Sequence, residues 1–150
     1  GLGETDTRAK LIDPVLHQRG WTEDCLKREE TPGAIQIIDG EAERARGRID
    51  YTLRVAVSSD SQPLAVALIE AKKDDAPPTE GLEQVKRYAK GLNVPFVYSC
   101  NGHLFVEHDR TTNITSAPQP LSSSALQKAA MVGGKAGVQR QQRAAQGAGV

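Results

Sequence analysis

Asp50, in Arg48-Ile49-Asp50, and the triplet Glu70-Ala71-Lys72 are the residues of this 150-residue chain whose types and spacing could do chemistry together. Both lie in segments that read as strands. Arg48 to Val57 and Leu64 to Lys72 are rich in β-branched, aromatic and aliphatic residues, and Ser58-Ser59-Asp60-Ser61-Gln62-Pro63 between them is a run of turn formers. Folding this antiparallel hairpin about Asp60 or Ser61 sets Asp50 opposite Glu70 or opposite Lys72, on one face of the sheet. Glu70 and Lys72, two apart, share a face as well. Two carboxylates at neighbouring cross-strand positions repel one another, and a divalent cation between them removes the repulsion. Carboxylate oxygens are the ligands magnesium prefers, and the ion keeps waters and takes up phosphate oxygens besides. Such an ion can hold a phosphodiester and help activate water, while Lys72 orients the water or neutralises the transition state. The competing reading is a solvated aspartate and a Glu–Lys pair on an exposed strand. Leu64 to Ala71 is apolar on both faces up to Glu70, which favours a buried central strand and the chemical reading.

These residues need a scaffold, and its elements can be read along the chain. Thr5 or Asp6 can cap a first helix with an apolar stripe of Leu11, Ile12, Val15 and Leu16, ended by Gly20. Pro14 either kinks that helix or sits in the first turn of a second segment capped by Asp13. Trp21 should pack under it. Ala34 to Ile38 suggests the first strand, and Glu41 to Gly47 its loop to the Arg48 strand. A helix capped by Thr79 has acidic residues first, Lys86, Arg87 and Lys90 last, Gly91 as its stop, and Leu82, Val85, Ala89 and Leu92 as its buried stripe. Pro95 to Cys100 and His103 to Asp109 flank Asn101-Gly102, a strong hairpin signal. The strand after the helix should run parallel to an earlier one, giving a mixed β-sheet flanked by helices, an α/β fold.

Composition narrows the partners. The net charge is zero, so affinity for nucleic acid must come from a local patch, a metal or other subunits. Residues 111–150 hold Lys128, Lys135, Arg140 and Arg143 and no acid, and read as a linker or low-complexity basic tail with a short helix around Leu121 to Met131. Gly133-Gly134-Lys135-Ala136 lacks the upstream glycine and following Ser or Thr of a phosphate loop. Cys25 and Cys100 have no metal-ligand spacing and read as buried thiols of a reducing compartment. No apolar run reaches the length of a membrane span and no signal-peptide pattern opens the chain, so a cytoplasmic protein without membrane contact is expected. A start at Gly1 rather than methionine suggests a fragment.

Taken together, Arg48-Ile49-Asp50, Glu70-Ala71-Lys72 and Gln84-Val85-Lys86-Arg87-Tyr88 resemble the PD-(D/E)XK nucleases, and among them the amino-terminal nuclease domain of type I restriction enzyme R subunits (HsdR). Glu4-Thr5-Asp6-Thr7-Arg8-Ala9-Lys10-Leu11-Ile12-Asp13-Pro14-Val15-Leu16, Gly20-Trp21 and Tyr98-Ser99-Cys100-Asn101-Gly102-His103 extend the resemblance, which covers roughly Glu4 to Asp109. It implies a restriction-endonuclease-like fold over residues 1–110, Asp50 and Glu70 as magnesium ligands, and Lys72 as the catalytic lysine. Gln84 and Tyr88 would be the supporting Q-x-x-x-Y pair, and four residues apart they share a helical face. Glu4 either completes the metal site or is an acid favoured by the helix dipole. Arg8 either forms a salt bridge or meets a phosphate. His17, His103 and His108 have no catalytic spacing. Ile49 replaces the proline of the family's name, at little cost because the carboxylate does the chemistry.

The implied activity is a magnesium-dependent DNA endonuclease acting on double-stranded DNA, inactive without the methylation and specificity subunits of a restriction complex. ATP would enter only through a helicase motor that these residues lack. A free-standing Mrr-like nuclease and a non-catalytic DNA-binding or docking module of the same fold are the alternatives.

Overall fold

A computed structural model describes residues 1–30, 36–38, 41–43, 48–56 and 58–121. Its centre is a mixed sheet in the order β1-β4-β5-β6-β7-β8, with β9 also on β7. The strands are β1 (Leu26–Glu30), β4 (Ile49–Val55), β5 (Leu64–Ala71), β6 (Phe96–Cys100), β7 (Leu104–Asp109), β8 (Ile114–Thr115) and β9 (Gln119–Pro120), while β2 (Gln36–Ile38) and β3 (Glu41–Glu43) pair with each other in a separate two-stranded sheet. The expected hairpin is β4 and β5, antiparallel, and β6 runs parallel to β5 as expected of a strand that follows a helix. β5 is apolar because it is central, and six of its eight residues are buried.

Two cores hold the sheet between helices. On one side Ile12, Leu16 and Trp21 pack with Tyr51, Leu53, Ile69, Tyr98 and Phe105. On the other, Val85, Tyr88 and Ala89 of α3 (Leu82–Leu92) pack with Leu68, Val97 and Val106. The amino-terminal helix is one run of α1 (Glu4–Thr7), a π-helical turn at Arg8–Ile12 and α2 (Asp13–Gln18). The wide turn precedes Pro14, which lacks the N–H an α-turn would use there. Gly3, not Thr5 or Asp6, occupies the N-cap, and Gly20 at φ 95° ends the run.

Several expectations shift. The first strand is Leu26–Glu30, not Ala34 to Ile38, and Glu41–Glu43, expected as loop, forms a strand with Gln36–Ile38. Residues 34, 35 and 44–47, and the tail beyond Leu121 with its expected helix, lie outside the described residues. Helix α3 runs through Gly91 and ends at Asn93, whose left-handed φ of 55° does the work expected of glycine. Gly81, not Thr79, is its N-cap. Tyr88 takes the buried place expected of Leu92, which is exposed. The β6–β7 turn centres on Gly102 and His103, and Asn101 holds it by accepting the His103 and Leu104 N–H groups on Oδ1. Ordered strands continue past residue 110 through β8 and β9 to buried Leu121. Cys25 and Cys100 are buried and form no disulfide among the described residues. No helix among the described residues is long and apolar enough to cross a membrane.

Candidate active site

The register of β4 on β5 decides which residue Asp50 meets. Tyr51 pairs with Ile69, and one step further along the ladder Asp50 stands across from Glu70 rather than Lys72. An irregularity between Leu53 and Arg54 shifts the pairing only on the far side of the hairpin. Asp50 Oδ2 accepts the Ala71 N–H at 2.8 Å, which anchors the carboxylate on the neighbouring strand. Its Oδ1 lies 3.6 Å from Arg8 Nη1, and Arg8 Nη2 also reaches Glu29 Oε1 at 3.3 Å. Of the two roles open to Arg8 in the sequence, this structure shows the salt bridge.

Glu70 is buried, with Oε1 3.6 Å from Lys72 Nζ and Oε2 buried without a hydrogen-bond partner among the described residues. Lys72 is fixed from behind because its N–H donates to Cys100 O at 2.8 Å, which carries the β5–β6 pairing one residue past the strand. Its Nζ also approaches Glu4 Oε1 at 3.8 Å. Glu4 gets there because the chain start is pinned to the loop after Lys72: Leu2 N–H donates to Asp74 Oδ1 at 2.6 Å and Asp74 N–H to Leu2 O at 3.2 Å.

The electrostatics match that crowding. Burial raises the Asp50 carboxyl above its usual range, against the opposing Ala71 N–H and Arg8 charge. Glu70 is pushed up to about 8, first by burial and then by the Asp50 charge, with Lys72 compensating only in part. Buried Glu70 beside part-buried Asp50 leaves more negative charge than Arg8 and Lys72 relieve. Among the described residues no group of three or more His, Cys, Asp or Glu side chains is arranged to hold a metal. Asp50 and Glu70 are thus two candidate donors, a set that would suit an ion whose remaining positions are filled by water and phosphate oxygens.

Gly81 was not foreseen as part of this site. A Cβ there would stand 2.5 Å from Glu70 Cγ and 3.1 Å from Lys72 Cε, so the bare backbone leaves the space both side chains use. Its N–H donates to Ser99 Oγ at 3.0 Å, and Ser99 is the β6 partner of Glu70. We expect Gly81→Ala to turn Glu70 away and weaken divalent-ion binding about tenfold or more, as loss of a ligand's support does. Titration with manganese checks this; wild-type affinity in the variant would show that Gly81 does not position Glu70. One turn further along α3, Gln84 Nε2 donates to the hydroxyl of buried Tyr88 at 2.8 Å, so the two residues do share a helical face. Asp13 accepts from Tyr51 at 2.5 Å and lies 3.4 Å from Arg28, which fastens α2 to the strand that carries Asp50.

The chain is 30% identical over 115 residues to the type I restriction enzyme EcoAI endonuclease subunit of Escherichia coli, an alignment covering 73% of this chain and 14% of that protein. It is 28% identical to a solved fragment assigned as an HsdR subunit of a type I restriction enzyme from Vibrio vulnificus, with a TM-score of 0.63 over 88% of this chain and 26% of that one. No protein-family model matches. The chain thus spans a small part of either relative.

Proposed function

From the premise that this chain carries an HsdR-like domain, we propose that it is the DNA-cutting domain of a type I restriction R subunit. In this reading it hydrolyses phosphodiester bonds of double-stranded DNA, in a complex with methylation and specificity subunits. The observation that carries the reading is the convergence of Asp50, Glu70 and Lys72 at one end of a central hairpin, with Glu70 Oε2 buried and unpartnered.

Asp50 and Glu70 would hold magnesium, whose bound form supplies charge neutralisation at phosphorus and a more acidic water. The residues of the chain do the rest. The Ala71 N–H fixes the rotamer of Asp50, so its other oxygen keeps one direction as the charge around it changes. Lys72, held 3.6 Å from Glu70, is placed to orient the attacking water by hydrogen bonding and to offset the charge that builds on the phosphate. Arg8 must give up Asp50 Oδ1, or share it, when a cation enters. Gln84 and Tyr88 support this end of α3.

Calorimetric titration of the 150-residue chain with magnesium or manganese tests the site apart from the rest of the enzyme. We expect binding in the wild type and none in Asp50→Ala or Glu70→Ala. Absence of metal binding in the wild type would instead favour a docking module of the same fold. DNA cutting by these residues alone would favour a free-standing nuclease.

A further inference from the structure

A second charged feature lies on the opposite half of α3. Lys86, Arg87 and Lys90 line a cavity of about 410 Å³ together with His108 and Arg110, and Glu83 is its acidic member. Four permanent cations against one carboxylate make a local excess in a chain whose net charge is zero. Burial first, and the Lys86 charge second, hold His108 below its ordinary range, so the excess comes from lysine and arginine. Helical spacing explains the cluster. Positions 83, 86, 87 and 90 recur at three and four residues, which stacks them on one face, while Leu82, Val85, Tyr88 and Ala89 are buried. Arg110 joins from beyond β7, where Nη1 donates to Val94 O at 2.9 Å.

We propose that this cavity binds the sugar-phosphate backbone of duplex DNA a few base steps from the phosphate cut at Asp50 and Glu70. This rests on the proposed nuclease reading, and the distance argument connects the two places. Helix α3 starts at Gly81, against Glu70 and Lys72, and the lysines and arginine lie five to nine residues further on. At 1.5 Å per residue that is about 8–14 Å along the axis. Each DNA strand carries one phosphate per about 3.4 Å of duplex axis, so the same span covers about two to four base steps. One helix would then hold the cutting site at its start and a backbone clamp along its length. The clamp reads charge, not base identity.

The test uses Arg87 and Lys90, which are exposed; Arg110 is left in place because it also holds Val94, and Lys86 because it pairs with Glu83. Anisotropy of a labelled duplex of about 20 base pairs is measured against the 150-residue chain at low salt with chelator, so that no metal contributes. Arg87→Glu with Lys90→Glu should weaken binding tenfold or more and flatten the log–log salt dependence by about two. Arg87→Gln with Lys90→Gln should show a smaller loss in the same direction, which serves if the charge reversal disturbs the helix. Wild-type affinity in both double variants, or tighter wild-type binding to anionic phospholipid vesicles than to the duplex, would overturn the proposal. Duplex binding through Arg87 and Lys90 without metal uptake at Asp50 and Glu70 leaves the clamp standing and removes the nuclease reading. Metal uptake with duplex affinity indifferent to Arg87 and Lys90 does the reverse.

Discussion

Lys72→Ala, placed in a complete R subunit assembled with its partner subunits, should lower DNA cleavage by a factor of about 10²–10³ or more, because removing one preorganised donor from a charge-stabilising site costs that much. Asp50→Ala should do at least as much by a different route. Lys72 touches the reacting atoms in the proposed mechanism but not the metal, so its loss should leave metal affinity within a few fold of the wild type. In the same proposed mechanism Asp50 supplies one of the donor carboxylates, and its removal should abolish metal binding and cleavage together. ATP hydrolysis, which on the proposed function belongs to a motor region outside this chain, should persist in both. The fold should survive as well: Lys72 lies at a strand end, and Asp50→Ala removes a carboxylate that burial already disfavours in its charged form. Supercoiled plasmid cleavage scored beside ATP turnover reads all of this in one experiment. Undiminished cleavage in Lys72→Ala would mean that the cluster is structural.

The hairpin that carries these residues was legible because every local signal agreed. Its β-branched strands, the Ser-Asp-Ser-Gln-Pro turn and the long apolar run of β5 all pointed to one arrangement, and only the choice between Glu70 and Lys72 opposite Asp50 was left to the register. The parallel pairing of β6 followed from the helix before it. What escaped was structure whose cause is tertiary. Leu26–Glu30 reads Leu-Lys-Arg-Glu-Glu and has no strand signature, yet it pairs with β4 at the sheet edge, where Glu30 meets Arg54 at 2.8 Å and Glu29, at φ 56°, is skipped in a pairing whose register continues at Glu30. The strands β8 and β9 have two residues each, too few for any periodicity.

Around the site the same division holds. The types and spacing of Asp50, Glu70 and Lys72 were visible, whereas the roles of Gly81 and Ser99 depend on how α3 docks on β5 and β6, which no local pattern encodes. Arg8 carried a faint signal, four residues after Glu4 on one helix. Glu4 and Arg8 do reach the two ends of the cluster, Lys72 and Asp50.

Glu70→Gln should make the protein more stable and less functional, and the sign of the first effect depends on pH. Glu70 is raised from 4.5 to about 8 in the folded chain, so the folded state holds a proton that the unfolded chain has already released over that interval. The stability tied to that proton is complete below about pH 4.5, declines as pH rises towards 8, and levels off above it. Asp50, raised in the same direction, adds to the decline. Glutamine keeps the shape without the titration. In chelator near pH 8.5 the variant should therefore melt a few degrees above the wild type, corresponding to about 1–3 kcal/mol at about 2–4 °C per kcal/mol for a domain of this size. Near pH 5 the two should converge. Magnesium should reverse the order at high pH, since an ion that binds only the folded wild type adds stability with its concentration. Its affinity should rise with pH up to about 8, as each binding event stops having to displace a proton. A wild type that melts alike with and without the ion, and level with the variant from pH 5 to 8.5, would mean that Glu70 carries no buried charge for a cation to relieve. The reversal instead would mark a position where stability has been given up to keep a metal site open.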